Sequence, residues 1–284
     1  MAELYSACNC FNAAVAITHS SDRMACDRLG SIVQTGRARK TTHLGSALDS
    51  IQSNQLSESR DPDNVRAMFG AIARRYDLAN HILSCGRDFL WRRRAAAIVA
   101  QWKPGKVVDL ATGTGDLALA IQRVLPKSEV IGVDFAEEML ALARTKGVRQ
   151  TIAADVLALP FPDRTLDCIT IAFGLRNVSD WAAALREMAR VLTRNGHLLV
   201  LEFSLPQMSI LRSLYRLYLH RLLPIFGSFL TRKKTAYDYL GDSIEQFPGG
   251  EELLRLIEGN GFRDAVAESL TGGIVTIYTA KKNG

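Results

Sequence analysis

Three acids, Asp109, Asp134 and Asp155, each stand at or near the end of a short apolar run, and the first leads into a glycine turn that includes Gly113, Thr114 and Gly115. If the apolar runs are parallel strands, the acids gather at the carboxyl edge of one sheet, where open α/β folds take up their ligands. Gly113 and Gly115 let the chain turn sharply and let backbone approach a ligand with no Cβ in the way. A nucleotide-sized molecule fits such an edge. A glycine turn alone is a weak fingerprint, since a ligand-free strand-to-helix turn uses the same residues.

Two cofactors compete for the turn. Gly113, Gly115 and Ala118 satisfy the G-x-G-x-x-A spacing of dinucleotide sites, and Asp134 falls 19 residues past Gly115, where a ribose-binding acid belongs. An NAD-dependent oxidoreductase is therefore the alternative. Against it, Asp109 directly before the turn would repel a pyrophosphate but suits a ligand carrying an ammonium and a sulfonium. Asp155, ahead of Leu-Ala-Leu-Pro-Phe-Pro-Asp, can accept from an adenine amino group. Only one nucleotide-binding half is complete before the pattern changes to an antiparallel pair. Together these favour S-adenosylmethionine.

The elements that must position these residues read as alternating strands and helices. A first strand is expected around Val107, Val108 and Leu110, and others near Glu129–Val133, Gln150–Ala154, Asp167–Ala172 and His197–Phe203, the last after an Asn195-Gly196 turn. Helices are expected at Asp116–Leu125, Ala136–Lys146 and Ser179–Leu192. This alternation predicts a parallel sheet covered on both faces. Leu211–Leu223 follows as a helix rich in Leu and Tyr, then a helix around Glu251–Glu258. Two final strands, Ala265–Leu270 and Ile274–Ala280, joined by Thr271-Gly272-Gly273, must be antiparallel neighbours. Ahead of the sheet, Asp61-Pro62 opens a helix with Val65, Met68, Phe69, Ile72 and Tyr76 at helical spacing. A second segment around Phe89-Leu90-Trp91 completes a helical lid.

The chain has 284 residues, 48% of them hydrophobic, enough for one large α/β domain. Its five Cys residues are scattered without metal-ligand spacing, and Cys168 lies in an apolar run that suits a buried reduced thiol. No metal site is expected. Residues 1–59, polar and broken by Gly30, Gly36 and Gly45, are expected to be a disordered leader; they have no apolar core of signal-peptide type. Between Phe203 and Tyr237 the chain holds Arg212, Arg216, Arg221, Arg232, Lys233 and Lys234 and no Asp or Glu. A basic stretch set among Leu, Tyr and Phe favours an anionic membrane surface before a nucleic acid, with the enzyme cytoplasmic or at the inner face of that membrane. No apolar run is long enough to span a bilayer, so contact would be peripheral.

From about Val65 onward the chain resembles the ubiquinone/menaquinone biosynthesis C-methyltransferases. The motifs are VVDLATGTGDLA from Val107, LPFPDRTLDCITIAFGLRNVSD from Leu159, LLVLEFS from Leu198, YDYLGDSIEQFP from Tyr237 and LTGGIV from Leu270. AFGLRNV is specific to this family, whereas the glycine turn is common to most methyltransferases of the fold. The resemblance implies a class I S-adenosylmethionine-dependent methyltransferase, a Rossmann-like seven-stranded sheet with an antiparallel last strand. It implies a domain over residues 60–284, comprising a helical lid (60–104) and a core with a substrate-side insertion at about 205–248. Carried over, it places Thr114 in the cofactor turn, Asp134 on the ribose hydroxyls, Asp155 with Val156 beside the adenine, and Ala172 in the cofactor pocket wall. Thr112 stands where many members have Gly, Ala172 where some have Ser, and Arg194-Asn195 where Pro-Gly is common.

Methyl transfer to carbon is an in-line displacement governed by positioning, so no covalent nucleophile is needed. The ring carbon becomes electron-rich when a neighbouring hydroxyl loses its proton. Arg176 and Asn177, after the fourth strand, are expected to face the acceptor. An Arg, with a pKa above about 12, would orient a water or hold the phenolate rather than act as base. Tyr76 would bind the ring from above. The bland alternative for Arg176 is an ion pair with an acid such as Asp180. His81 is a minor proton-transfer candidate, and His197 is expected to be exposed. The implied acceptor is a polyprenyl quinol, demethylmenaquinol ahead of the methoxy-benzoquinol. A homodimer and a membrane surface complete the partners, and no nucleic acid is expected. A sterol or phenol methyltransferase and a cofactor-binding protein without turnover are the remaining alternatives.

Overall fold

A computed structural model describes residue 84, residues 86–222 and residues 241–284. The predicted leader, the first lid helix with Tyr76 and His81, and the stretch 223–240 lie outside the described residues.

The elements run α1 (Arg87–Trp102), β1 (Lys106–Leu110), α2 (Asp116–Val124), β2 (Glu129–Asp134), α3 (Glu137–Lys146), β3 (Gln150–Ala153) and β4 (Leu166–Ala172). They continue with α4 (Trp181–Val191), β5 (Leu192–Phe203), α5 (Ser209–Leu217), α6 (Glu251–Gly259), β6 (Phe262–Leu270) and β7 (Val275–Lys282). The seven strands pair in the order β3-β2-β1-β4-β5-β7-β6. The β1–β2, β1–β4, β2–β3 and β4–β5 ladders are parallel, while β7 is antiparallel to both β5 and β6. The order reverses between β1 and β4, which puts the topological switch point beside the glycine turn.

Local chemistry explains the helices. Gly115 enters α2 in the left-handed region and Asp116 sits in its positive first turn. In α3, Glu137 and Glu138 lie at the start, Arg144 and Lys146 at the end, and Gly147 closes it in the left-handed region. Asp180 caps α4, its carboxylate accepting from the Ala183 N–H at 2.8 Å.

Alternation along the strands then sorts the side chains. Val108, Leu110, Ile131, Val133, Ile169, Ile171, Leu198 and Val200 join Leu185 and Met188 of α4 and Leu253 and Ile257 of α6 in one buried core. Asp109 and Thr170 occupy the alternate positions of β1 and β4 and face the other side.

Two expectations shift. The Asn195-Gly196 turn lies inside β5: the pairs Leu166–Leu192 and Cys168–His197 set a two-residue step on β4 against a five-residue step on β5. The surplus is taken up in a bulge with Asn195 at φ 60°. His197 is not exposed but half-buried, its ring stacked on Trp102 with centroids 4.4 Å apart. Burial and Lys281 depress its pKa. Cys168 is a buried free thiol, pushed well above its ordinary pKa by that burial.

Candidate active site

The turn after β1 is built around Asp109. The carboxylate is 1% exposed, and its two oxygens accept from Thr112 Oγ1 and Thr170 Oγ1, each at 2.7 Å. Burial pushes its pKa up to about 6, against the pull of both hydroxyls and of Arg92 on α1. Thr112, in a position where the resemblance leads one to expect Gly, is thus employed. Its methyl nests over Gly132, where an added Cβ would come within 2.9 Å of Thr112 Cγ2.

Asp134 ends β2 and holds the turn from the other side. Its carboxylate accepts from the N–H of Gly113 at 2.8 Å and of Ala136 at 3.0 Å, and burial raises its pKa despite these bonds. Gly113 has φ +55° and open space where a Cβ would stand. Gly115 is the reverse case, with φ +86° and an added Cβ only 2.3 Å from Val148 Cγ2. The first glycine leaves room above the turn, and the second allows the turn to seat on α3. Lys146 ties the turn to α3, donating to Thr114 Oγ1 and Asp116 Oδ1, both at 2.8 Å.

The three acids sit at different heights on the edge. Asp109 is level with Gly132, so Asp134 stands two residues, roughly 7 Å, further out along the strand direction. Asp134 in turn pairs with Ala153, and Asp155 lies two residues beyond that. Asp155 is exposed, with Oδ1 accepting from the Leu157 N–H at 2.9 Å, and Val156 beside it is buried in the main core. Ala172, two residues beyond the Asp109 partner Thr170, is partly buried at the head of β4. The strands therefore collect Asp109, Gly113, Thr114, Gly115, Asp134, Asp155, Val156 and Ala172 along one edge.

Across the switch point the backbone is tight. Ala111 after β1 and Phe173 after β4 both take positive φ, 47° and 57°, and a Cβ on Gly174 would lie 2.5 Å from that of Ala111. Non-glycine residues held in this region are commonest at functional sites.

Arg176 lies in the short turn Leu175–Asn177 that follows. Its guanidinium is 2.7 Å from Glu202 on β5, with side-chain exposures of 5% and 0%, and it also donates to the Phe173 carbonyl. The ion pair is real, but its acid is Glu202, because Asp180 is occupied as the cap of α4. Asn177 is partly exposed beside it. Phe203, 5.4 Å beneath the guanidinium, belongs to an aromatic cluster with Phe173 and Trp91 of α1, and Trp91 Nε1 donates to Thr271 Oγ1 at 2.8 Å. Tyr215 of α5 is buried near the pair, and its phenol is raised well above its ordinary pKa.

Sequence reasoning passed over Thr170 and Glu202, and gave Trp91 no role beyond the lid. The available signal was a polar residue inside an otherwise apolar strand, as in Ile-Thr-Ile-Ala and Leu-Val-Leu-Glu-Phe. Among the described residues, no group of three or more His, Cys, Asp or Glu could hold a metal ion, and no helix is long and apolar enough to cross a membrane.

A model of the ubiE/COQ5 methyltransferase family matches residues 54–282. A demethylmenaquinone methyltransferase of Thermus thermophilus is 44% identical over 220 residues, covering 76% of this chain and 100% of its own. The ubiquinone/menaquinone biosynthesis C-methyltransferase UbiE of Geobacter sulfurreducens is also 44% identical, covering 78% and 89%, and a demethylmenaquinone methyltransferase of Deinococcus radiodurans is 41% identical, covering 77% and 92%. Among solved structures, a SAM-dependent methyltransferase from Thermotoga maritima superposes with a TM-score of 0.50 at 21% identity, covering 76% of this chain and 100% of that one. The cyclase SpnF gives 0.55 at 16%, covering 78% and 95%. At these identities the structural matches speak for the fold alone.

Proposed function

The chain belongs to the ubiE/COQ5 methyltransferase family, and from that premise we propose that it transfers a methyl group from S-adenosylmethionine to a ring carbon of a polyprenyl quinol, demethylmenaquinol before the benzoquinol. The observation that carries the reading is the 44% identity with the Thermus demethylmenaquinone methyltransferase across that relative's whole length. The Deinococcus relative of the same name supports the naphthoquinol acceptor. The dinucleotide alternative loses its ground in the sheet, since β7 and β6 turn antiparallel where a second nucleotide-binding half would continue in parallel.

The residues at the edge fit this cofactor. The open side of Gly113 leaves space for it, and the donor set is anionic where an ammonium and a sulfonium need it. When bound, S-adenosylmethionine supplies an electrophilic methyl group. Asp109, buried and already bonded to two hydroxyls, acts on the cationic end through its field. The Asp134 carboxylate accepts backbone N–H groups, among them those of Gly113 and Ala136, and with about four lone-pair sites it can also take a ribose hydroxyl. Asp155 and Val156 offer the adenine an acceptor and an apolar wall. On the acceptor side, Glu202 fixes the Arg176 guanidinium, whose positive charge favours the developing phenolate, and Asn177 and Tyr76 hold the ring oxygens.

The test is incubation with methyl-labelled S-adenosylmethionine and lipid extract from a strain lacking quinone-ring methylation, followed by mass identification of the labelled lipid. Label in a naphthoquinone is expected. Label in a benzoquinone would move the acceptor, and label in neither quinone would refute the reading.

A further inference from the structure

Helix α5 leaves the carboxyl end of β5 after a short connection, at the same sheet edge as the site, and it carries two different apolar faces. Leu211 and Tyr215 are buried against the body, as is Leu219 in the π turn Tyr218–Leu222 that extends the helix. On the opposite side Ile210, Leu214 and Leu217 are exposed by 73%, 50% and 53%, with Met208 just before them at 55%. The spacing of four then three residues places Ile210, Leu214 and Leu217 in one stripe along the outside of the helix, and Arg221, exposed four residues further on, continues the line. A lone exposed Leu needs no explanation. A stripe of large side chains on a helix that already has a buried face does.

Its charge says what it fits. Met208–Leu222 contains Arg212, Arg216, His220 and Arg221 and no acid, and the sequence adds Arg232, Lys233 and Lys234 before the next acid. Arg216 and His220 lie on one flank, both reaching Glu245, and Arg212 donates to the Pro206 carbonyl. An apolar stripe edged by cations is the pattern of a helix lying in the plane of an anionic bilayer, where apolar side chains enter the headgroup boundary and cations meet phosphates.

We infer that the outer face of α5, formed by Ile210, Leu214, Leu217 and Arg221, docks the enzyme on an anionic phospholipid surface. The inference rests on the reading above that the acceptor carries a prenyl tail. Such a tail remains in the bilayer, so docking this face brings the acceptor side of the site to the substrate and spares the tail a passage through water.

The test uses the full chain and sedimentation with phosphatidylcholine vesicles, with and without phosphatidylglycerol, in the absence of quinol and methyl donor. The chain is expected to bind the phosphatidylglycerol vesicles and to be released by salt. The Leu214→Glu/Leu217→Glu double variant should lose at least about tenfold in partition, because both side chains would otherwise leave water. Ile210→Ser, at the most exposed of the three, should weaken partition in the same direction, and it covers the case in which the double variant misfolds, as judged by its thermal unfolding. Failure of the unmodified chain to bind, or undiminished binding by the variants, overturns the inference. So does a dimer that the double variant converts to a monomer, since a second copy would then cover the stripe. Methylation of a water-soluble short-chain quinol, measured separately without vesicles, tests the functional reading independently. Turnover without vesicle binding sinks the docking alone, and binding without turnover sinks the function alone.

Discussion

Asp109 should make cofactor affinity depend on pH in a range where most carboxylates no longer titrate. Its carboxyl group titrates near 6, about two units above its ordinary value, because it is fully buried and two hydroxyls only partly offset the loss of water. At about 1.4 kcal/mol per unit, the folded chain bears roughly 3 kcal/mol for ionising it. A carboxyl whose folded pKa lies above its unfolded one contributes stability that is complete below the unfolded value and is lost as pH rises through about 6. A cation in the site opposes that loss and binds the ionised form. S-adenosylmethionine should therefore bind about tenfold more weakly at pH 5 than at pH 7, following the ionised fraction, with a proton released on binding near pH 6. Calorimetry without acceptor, in two buffers of different ionisation enthalpy, measures both. Asp109→Asn should abolish the slope, weaken binding at pH 7 and raise the unfolding temperature at pH 8, where the buried charge is gone. Equal affinity at pH 5 and 7, or a slope that survives in Asp109→Asn, would refute the reasoning. A surviving slope would point to Asp134, the other buried acid of the edge with a raised pKa.

Gly115→Ala should cost about 2–3 kcal/mol, read as a lowered unfolding temperature, since the new methyl meets Val148 at 2.3 Å in a backbone conformation that L residues avoid. Arg176→Ala should cut turnover by about a hundredfold while cofactor affinity, followed by calorimetry, changes little. Retained turnover would reduce Arg176 to a structural partner of Glu202. Glu202→Gln should destabilise the fold by about 3–5 kcal/mol in denaturant titration, because it strands a guanidinium that is nearly inaccessible. Trp91→Ala should cost a similar 3–5 kcal/mol by removing the centre of the Phe173–Phe203 cluster together with the bond to Thr271.

The sheet was largely legible because short apolar runs with acids at their ends leave few places for parallel strands. β1 forms around Val107, Val108 and Leu110 as expected, β2 to β4 begin and end within a residue of expectation, and the antiparallel pair follows from its tight connection. Where reading failed, the cause is non-local. Asn195-Gly196 has the residues of a turn, yet β4 pairs on both sides of it and absorbs it as a bulge. Nothing in the neighbourhood of Arg176 names Glu202, 26 residues away on the next strand, and the near acid Asp180 is drawn off by a helix cap. Its place at the start of a strand after a turn predicted an exposed His197, but Trp102, on a helix before the sheet, covers its ring. The edge acids could be listed from sequence, but their relative heights depend on strand register.

That stepping has a consequence for how the catalyst can diversify. The height at which Asp109 and Asp134 leave the main chain is set by the hydrogen-bonded ladder β1–β2–β3, which a loop insertion leaves untouched, and Asp155 follows two residues past its end. A donor held by these three acids, as proposed above, would find its contacts spaced by the main chain itself. That spacing is inherited with the fold, whereas the segments beyond β5 lie outside the ladder that sets it.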